Sequence, residues 1–260
     1  MRKYLEISKV YLRNNFAFMG DFVLKSLFVI VIMFIFANLW TVIYGGEKII
    51  EGFTIQMMIW YILMAESIIT SESPIIKDTN KEIQNGDVAY YLNKPYSYIF
   101  YNIAKAYAHI VLAFFITFLL GGLVVYSLVG GISTNPLNII FIIISLFLAV
   151  TLNMIISLFI GMLGFWFEDT VSLRFIYHKL LFTLGGMLMP LEIFPIWLSK
   201  IAAVLPFSFV AYFPSKLFVS FNFELFIRTT LIQIGYIGIF GILLYIVYKK
   251  ASRGLNINGG

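Results

Sequence analysis

LNIIFIIISLFLAVTLNMIISLFIGMLGFWF, residues 137–167, contains no Asp, Glu, Lys, Arg or His. Crossing the hydrocarbon core of a bilayer takes about 20 such residues. This run meets that length with enough left over to tilt or to project beyond the lipid. It is bounded by the turn-forming GGISTNP, residues 130–136, and by Glu168-Asp169-Thr170. Outward from it, apolar runs recur at 22–44, 53–70, 101–129, 171–189 and 226–248. Composition agrees: 61% of the 260 residues are hydrophobic and 12% charged, with a mean hydropathy of +0.93. Soluble domains carry about 25% charged residues, and a chain of this size still has a large surface to cover. Lipid must be the solvent for much of that surface. The expectation is an all-α integral membrane protein with six transmembrane helices, in one domain spanning residues 1–260.

The segments between the spans are distinctive. In residues 1–20, Leu5, Val10, Leu12 and Phe16 alternate with Arg2, Lys3, Lys9 and Arg13. This pattern predicts a basic amphipathic helix in the interface, drawn to an anionic leaflet. Asp21 and Lys25 are four apart and can pair along one helix face, and Lys25 can also snorkel. Residues 71–100 form the longest polar stretch. Pro74 suits a helix start and Asn85-Gly86 a helix stop, so IIKDTNKEIQ reads as one short helix of mixed charge. It is either a solvated, ion-paired loop or a docking surface for a soluble partner. In residues 190–216, Pro190, Pro195, Pro206 and Pro214 cut an apolar stretch into pieces too short to cross. They suit re-entrant helices packed in protein. The tail after Tyr248 is polar, with the expectation of a mobile end.

Basic residues set the orientation. With the N-terminus inside, Lys77, Lys81, Lys94, Lys105, Arg174, Lys179, Lys249, Lys250, Arg253 and the N-terminal cations are cytoplasmic. Only Lys48, Lys200, Lys216 and Arg228 lie outside. The positive-inside rule favours this arrangement. It also accounts for the net charge of +5 without nucleic acid as a partner.

Enzymatic readings find little support. The chain has no Cys and two His. It has no phosphate-binding G-x-x-x-x-G-K-[ST] motif, no H-E-x-x-H and no G-x-S-x-G. No catalytic set, metal site or cofactor site is expected. The intramembrane polar residues are Glu66, His109, Glu168, Asp169, Arg174, His178 and Lys179. Such groups are costly in lipid and often functional. Here a structural role is expected for most, with His109 as an interhelical hydrogen bonder and Lys179 either snorkelling inward or paired to Glu168, Asp169 or Glu66.

GDVAYYLNKPYSYIFYNIAK (86–105) and GMLGFWFEDTVSLRFIYHKLLFTLGGMLMPLEIFPIWLSKIAAVLPFSFVAYFPSKLFV (161–219) resemble the ABC-2 type permeases. Within that family they are most similar to the ABC-2 family transporter group often paired with a daunorubicin-resistance-like ATPase. KYLEISKVYLRNNFAFMGDF and MIWYILMAESI extend the resemblance to most of the chain. It implies a type V exporter-like fold: an N-terminal elbow helix, six spans, a cytoplasmic coupling helix and extracellular re-entrant helices. It implies an ABC ATPase partner carrying ATP and Mg, and a second permease subunit in a homo- or heterodimer. The location implied is a prokaryotic cell membrane, with both termini cytoplasmic. The ATPase contact maps onto Lys77, Asp78, Lys81, Glu82, Gly86, Asp87, Lys94 and Pro95. A lid over the substrate route maps onto Pro190, Glu192, Pro195, Pro206 and Pro214. The function implied is ATP-driven export of a hydrophobic or amphipathic substrate. An ATPase-independent secondary transporter or channel is the alternative.

Overall fold

Helices that are apolar around their whole circumference need protein or lipid on every side, and this chain is built from several. The computed structural model describes residues 2–132, 135–167 and 169–258. The helices are α1 Arg2–Ala17, α2 Met19–Tyr44, α3 Ile55–Thr70, α4 Ile75–Gln84, α5 Asp87–Leu92 and α6 Tyr98–Val129. They continue with α7 Ile139–Met162, α8 Val171–Leu184, α9 Ile196–Ala202, α10 Pro206–Val210, α11 Tyr212–Val219 and α12 Phe223–Asn258. Short 3-10 turns occupy Pro136–Asn138, Leu163–Phe165 and Leu191–Ile193. No strand forms among the described residues; a single bridge pairs Ile50 with Phe53.

Four helical stretches are long and apolar enough to cross a membrane: Met19–Tyr44, Tyr98–Val129, Pro136–Phe165 and Phe223–Ser252. Their outward faces bear exposed apolar side chains such as Phe28, Phe34, Phe115, Leu123, Ile140, Phe147, Ile242 and Ile246. Water would not tolerate such a surface on this scale. This is an all-α, multi-pass membrane protein.

The other two expected spans are shorter than their apolar runs. α3 has 16 residues and α8 has 14, about 24 and 21 Å at 1.5 Å per residue. α3 is the centre of the bundle, buried from Tyr61 through Ile68 and flanked by α2, α6 and α11. α8 stops at Leu184, short of the expected Met189, because Gly185 and Gly186 break it. Gly186 takes φ +71, where a side chain is strained. Its carbonyl accepts a hydrogen bond from the Tyr61 hydroxyl. α12 continues past Tyr248, so the backbone expected to be a loose tail is helical to Asn258.

The connections sort to two ends. At one, the Tyr98 ring stacks on Tyr248 at 6.3 Å and the Lys250 ammonium lies 5.9 Å from the Trp166 ring. α4 and α5 lie there too, and it is called the basic end below. At the opposite, proline-rich end, Trp60 Nε1 donates to the Gly130 carbonyl at 2.9 Å. Phe141 meets Phe221, Phe223 and Phe226 there with ring centroids 5.8, 5.5 and 5.1 Å away.

α1 packs against α6. It lies along the start of α6, tied by Lys3 Nζ to the Pro95 carbonyl (2.5 Å) and by the Ser97 amide to the Tyr4 hydroxyl (3.0 Å). Ser8 donates to the Ala104 carbonyl (2.9 Å), and the hydroxyls of Tyr11 and Tyr101 are 2.5 Å apart. Of the two arrangements open to Lys25, the ion pair with Asp21 does not form among the described residues.

Candidate functional site

α4 occupies the helix expected between Pro74 and Asn85. Ile75, Ile76, Thr79 and Asn80 form its buried face. They reach the end of α7 because Gly161 and Gly164 leave a notch there. A Cβ on Gly161 would lie 3.0 Å from Thr79 Cβ and 3.3 Å from Ile76 Cα, and one on Gly164 would lie 2.6 Å from Asn80 Oδ1. Helix–helix approach this close requires small residues.

Two acidic side chains clamp the same helix to α6. Asp78 pairs with Lys105 at 2.7 Å, and the Tyr98 hydroxyl donates to Glu82 at 2.6 Å. Burial raises the Glu82 carboxyl above the usual carboxylate range, while the Tyr98 hydrogen bond and Lys105 pull it back down. Of the residues assigned to coupling, Asp78 and Glu82 therefore face inward, whereas Lys77 and Lys81 are exposed. Gly86 turns the chain at φ +76 into α5, where Asp87 is exposed. The Lys94 ammonium sits 4.1 Å from the Tyr90 ring, and the Pro95 carbonyl is engaged by Lys3. The outward surface of this end is thus the basic side of α4 and the α5 corner.

The intramembrane polar residues divide among several roles. Glu66 is 5% exposed within α3 and accepts from the Thr70 hydroxyl at 3.1 Å. His109 does not make the expected hydrogen bond among the described residues. Its ring packs on Phe22 at 4.9 Å instead, since the neighbouring α2 face offers an aromatic where a polar partner was needed. Asp169 Oδ1 accepts from the Val171 amide at 2.8 Å and starts α8. Glu168 lies outside the described residues. Among the described residues Lys179 pairs with no carboxylate; its ammonium lies over the rings of Phe175 and Phe182, 5.1 and 5.7 Å away. His178 Nε2 meets Glu72 at 2.8 Å, and Ser157 donates to Glu72 at 3.2 Å. Arg174 is half-buried beside them.

The proline-rich segment is folded into short helices, three of the four prolines standing at starts. Pro195 directly precedes α9, Pro206 is the first residue of α10, and Pro190 precedes the Leu191–Ile193 turn. A proline lacks only an amide that would be unpaired there anyway. Pro214 falls in the first turn of α11 for the same reason. Glu192 binds Lys216 and accepts from the Tyr212 hydroxyl at 2.7 Å. Gln233 Nε2 of α12 donates to the Phe209 carbonyl at 2.9 Å.

Sequence reasoning missed Lys105, Tyr98, Glu72, Gly161 and Gly164. The spacing of the two glycines at the end of an apolar run was the available signal for the notch. The other three act through partners distant in sequence.

None of the curated proteins compared with the chain matches it. Residues 27–259 match the family model described as ABC-2 family transporter protein. That match takes in every membrane helix except the start of α2, and with the helical, lipid-facing architecture it makes the chain a member of the ABC-2 transporter family, a membrane permease domain.

Proposed function

We propose that the chain is the permease subunit of an ATP-driven exporter of a hydrophobic or amphipathic substrate, moved by a separate ABC ATPase that docks on α4. The observation that carries this reading is the mounting of α4. One face is seated in the α7 notch and tied to α6, so a push on its exposed side is delivered to two long membrane helices. A solvated loop would need no such seat. In this reading six helices cross the membrane, with α3 and α8 completed by neighbouring protein. Both termini and α4 are cytoplasmic, the membrane is a prokaryotic cell membrane, and a second permease chain completes the pathway. The segment from Pro190 to Lys216 covers the outer exit. Its contacts with Tyr61, whose ring lies 6.2 Å from that of Tyr212, and with Gln233 make it a lid that moves with α3 and α12.

The test is reconstitution. Purified with its ATPase, the chain should carry an amphipathic fluorescent dye across vesicles only when ATP is supplied. Transport by the chain alone, driven by an ion gradient, would replace this reading with that of a secondary transporter.

A further inference from the structure

A cavity of about 310 Å³ opens at the basic end between α2, the α3–α4 corner and α8. Its lining includes Lys25, Thr70, Glu72, Arg174 and His178. Glu72 is engaged by Ser157 and His178. Among the described residues, no carboxylate stands within ion-pair distance of Lys25 or Arg174. Asp21, one turn before Lys25 on α2, does not reach it. Arg174 and His178 are four apart on α8 and so share a face. Two cations line this cavity against one carboxylate, Glu72, so it carries an excess of positive charge.

The flanks show what kind of anion suits it. On the same turns, α2 exposes Leu24, Leu27 and Phe28, and α8 exposes Phe175 and Ile176. An anion entering here has apolar surface running from the cavity mouth toward the membrane centre on both sides. Free phosphate would use only the cavity; an anionic amphiphile uses both.

We infer that this cavity is a headgroup site for an anionic amphiphile, with Lys25 and Arg174 holding the phosphate or carboxylate and the α2 and α8 faces holding the tails. The inference rests on the permease reading only for the fate of the ligand, since binding needs no ATPase. The ligand is either a bilayer lipid resident at the site or the cargo itself.

The test uses the full chain in nanodiscs of equal phosphatidylglycerol and phosphatidylcholine, with retained lipid read by native mass spectrometry. Phosphatidylglycerol should be retained over phosphatidylcholine. The double change Lys25→Ala and Arg174→Ala should cut that preference about tenfold, since both cations attract an anionic headgroup and salt screens part of that attraction. The conservative pair Lys25→Arg and Arg174→Lys should keep most of it, which separates charge from folding. Equal retention of the two lipids, or a preference untouched by the alanine pair, overturns the site. Dodecyl phosphate should compete and inorganic phosphate should not; competition by both equally overturns the amphiphile. ATP-driven flipping of labelled phosphatidylglycerol by the assembled transporter identifies the site as a cargo site, and its absence as a resident-lipid site, both upholding the headgroup cavity. Failure of the ATPase to associate would sink the proposed function while leaving lipid retention unchanged.

Discussion

At the scale of single residues, the seat of α4 depends on two hydrogens in place of two side chains. Gly161→Ala should put a methyl against a backbone atom of Ile76, which cannot swing aside. A loss of about 1–3 kcal/mol is the usual cost of such overpacking. Gly122→Ala is the control, because its Cβ would meet Trp60 at an ordinary 3.7 Å. Thermal unfolding in detergent should separate the two. Glu82 gives a pH prediction. Its carboxyl is raised in the folded state by burial, so folding favours the protonated form. The stabilisation this provides is complete at acid pH and is lost as pH rises through the raised folded value. Amide-exchange protection of residues 75–84 should therefore fall on going from acid to neutral pH. In Glu82→Gln, which keeps an acceptor for Tyr98, protection should be flatter with pH and higher at neutrality. Equal profiles for the two proteins would contradict this. The notch left a trace in the glycine spacing, but the role of Glu82 was not legible from the local sequence. Asp78 and Glu82 looked like solvent-facing charges, because their partners Lys105 and Tyr98 lie on another helix.

At the scale of elements, the sequence was most informative where physics is local. Pro74 and Asn85-Gly86 bracket α4 at the ends it has in the structure, because capping and turn preferences act within a few residues. The long apolar runs located α2, α6, α7 and α12 for the same kind of reason. The lengths of α3 and α8 were not legible. A hydropathy run does not reveal where a glycine pair will turn the backbone to meet a tyrosine hydroxyl from another helix, as Gly186 does with Tyr61. Nor did the pattern show which face of α4 is free. With that face now identified as the Lys77–Lys81 side, the changes Lys77→Glu and Lys81→Glu together should weaken co-purification of the ATPase at least tenfold without altering membrane insertion. Asp78→Asn should behave differently. The ATPase should still bind, but ATP hydrolysis should proceed with transport reduced severalfold, because in the proposed mechanism force enters α6 through the Asp78–Lys105 pair.

At the scale of the molecule, the lack of any cysteine makes topology directly measurable. Lys81→Cys and Lys200→Cys fall at opposite ends of the bundle and are both exposed. In intact cells an impermeant maleimide should label Lys200→Cys and leave Lys81→Cys untouched until the membrane is opened. The reverse pattern would turn the molecule over and remove the ATPase from α4. The family-level architecture was readable from the order of apolar and polar segments, because lipid leaves the backbone so few options. The cavity between α2 and α8 was not, since it is formed by side chains from three elements far apart in the chain.

α7 carries the α4 notch at one end and the Phe141 aromatic cluster at the other, with no ionisable side chain between Ile139 and Met162. A stroke that slides or rocks this rod therefore shifts no fixed charge of its own through the electric field of the bilayer. Moving an elementary charge across 100 mV involves about 2.3 kcal/mol, a toll or a subsidy that this helix escapes. The rod's part of the cycle should run at the same pace in polarised and depolarised membranes, leaving any voltage dependence to the passenger.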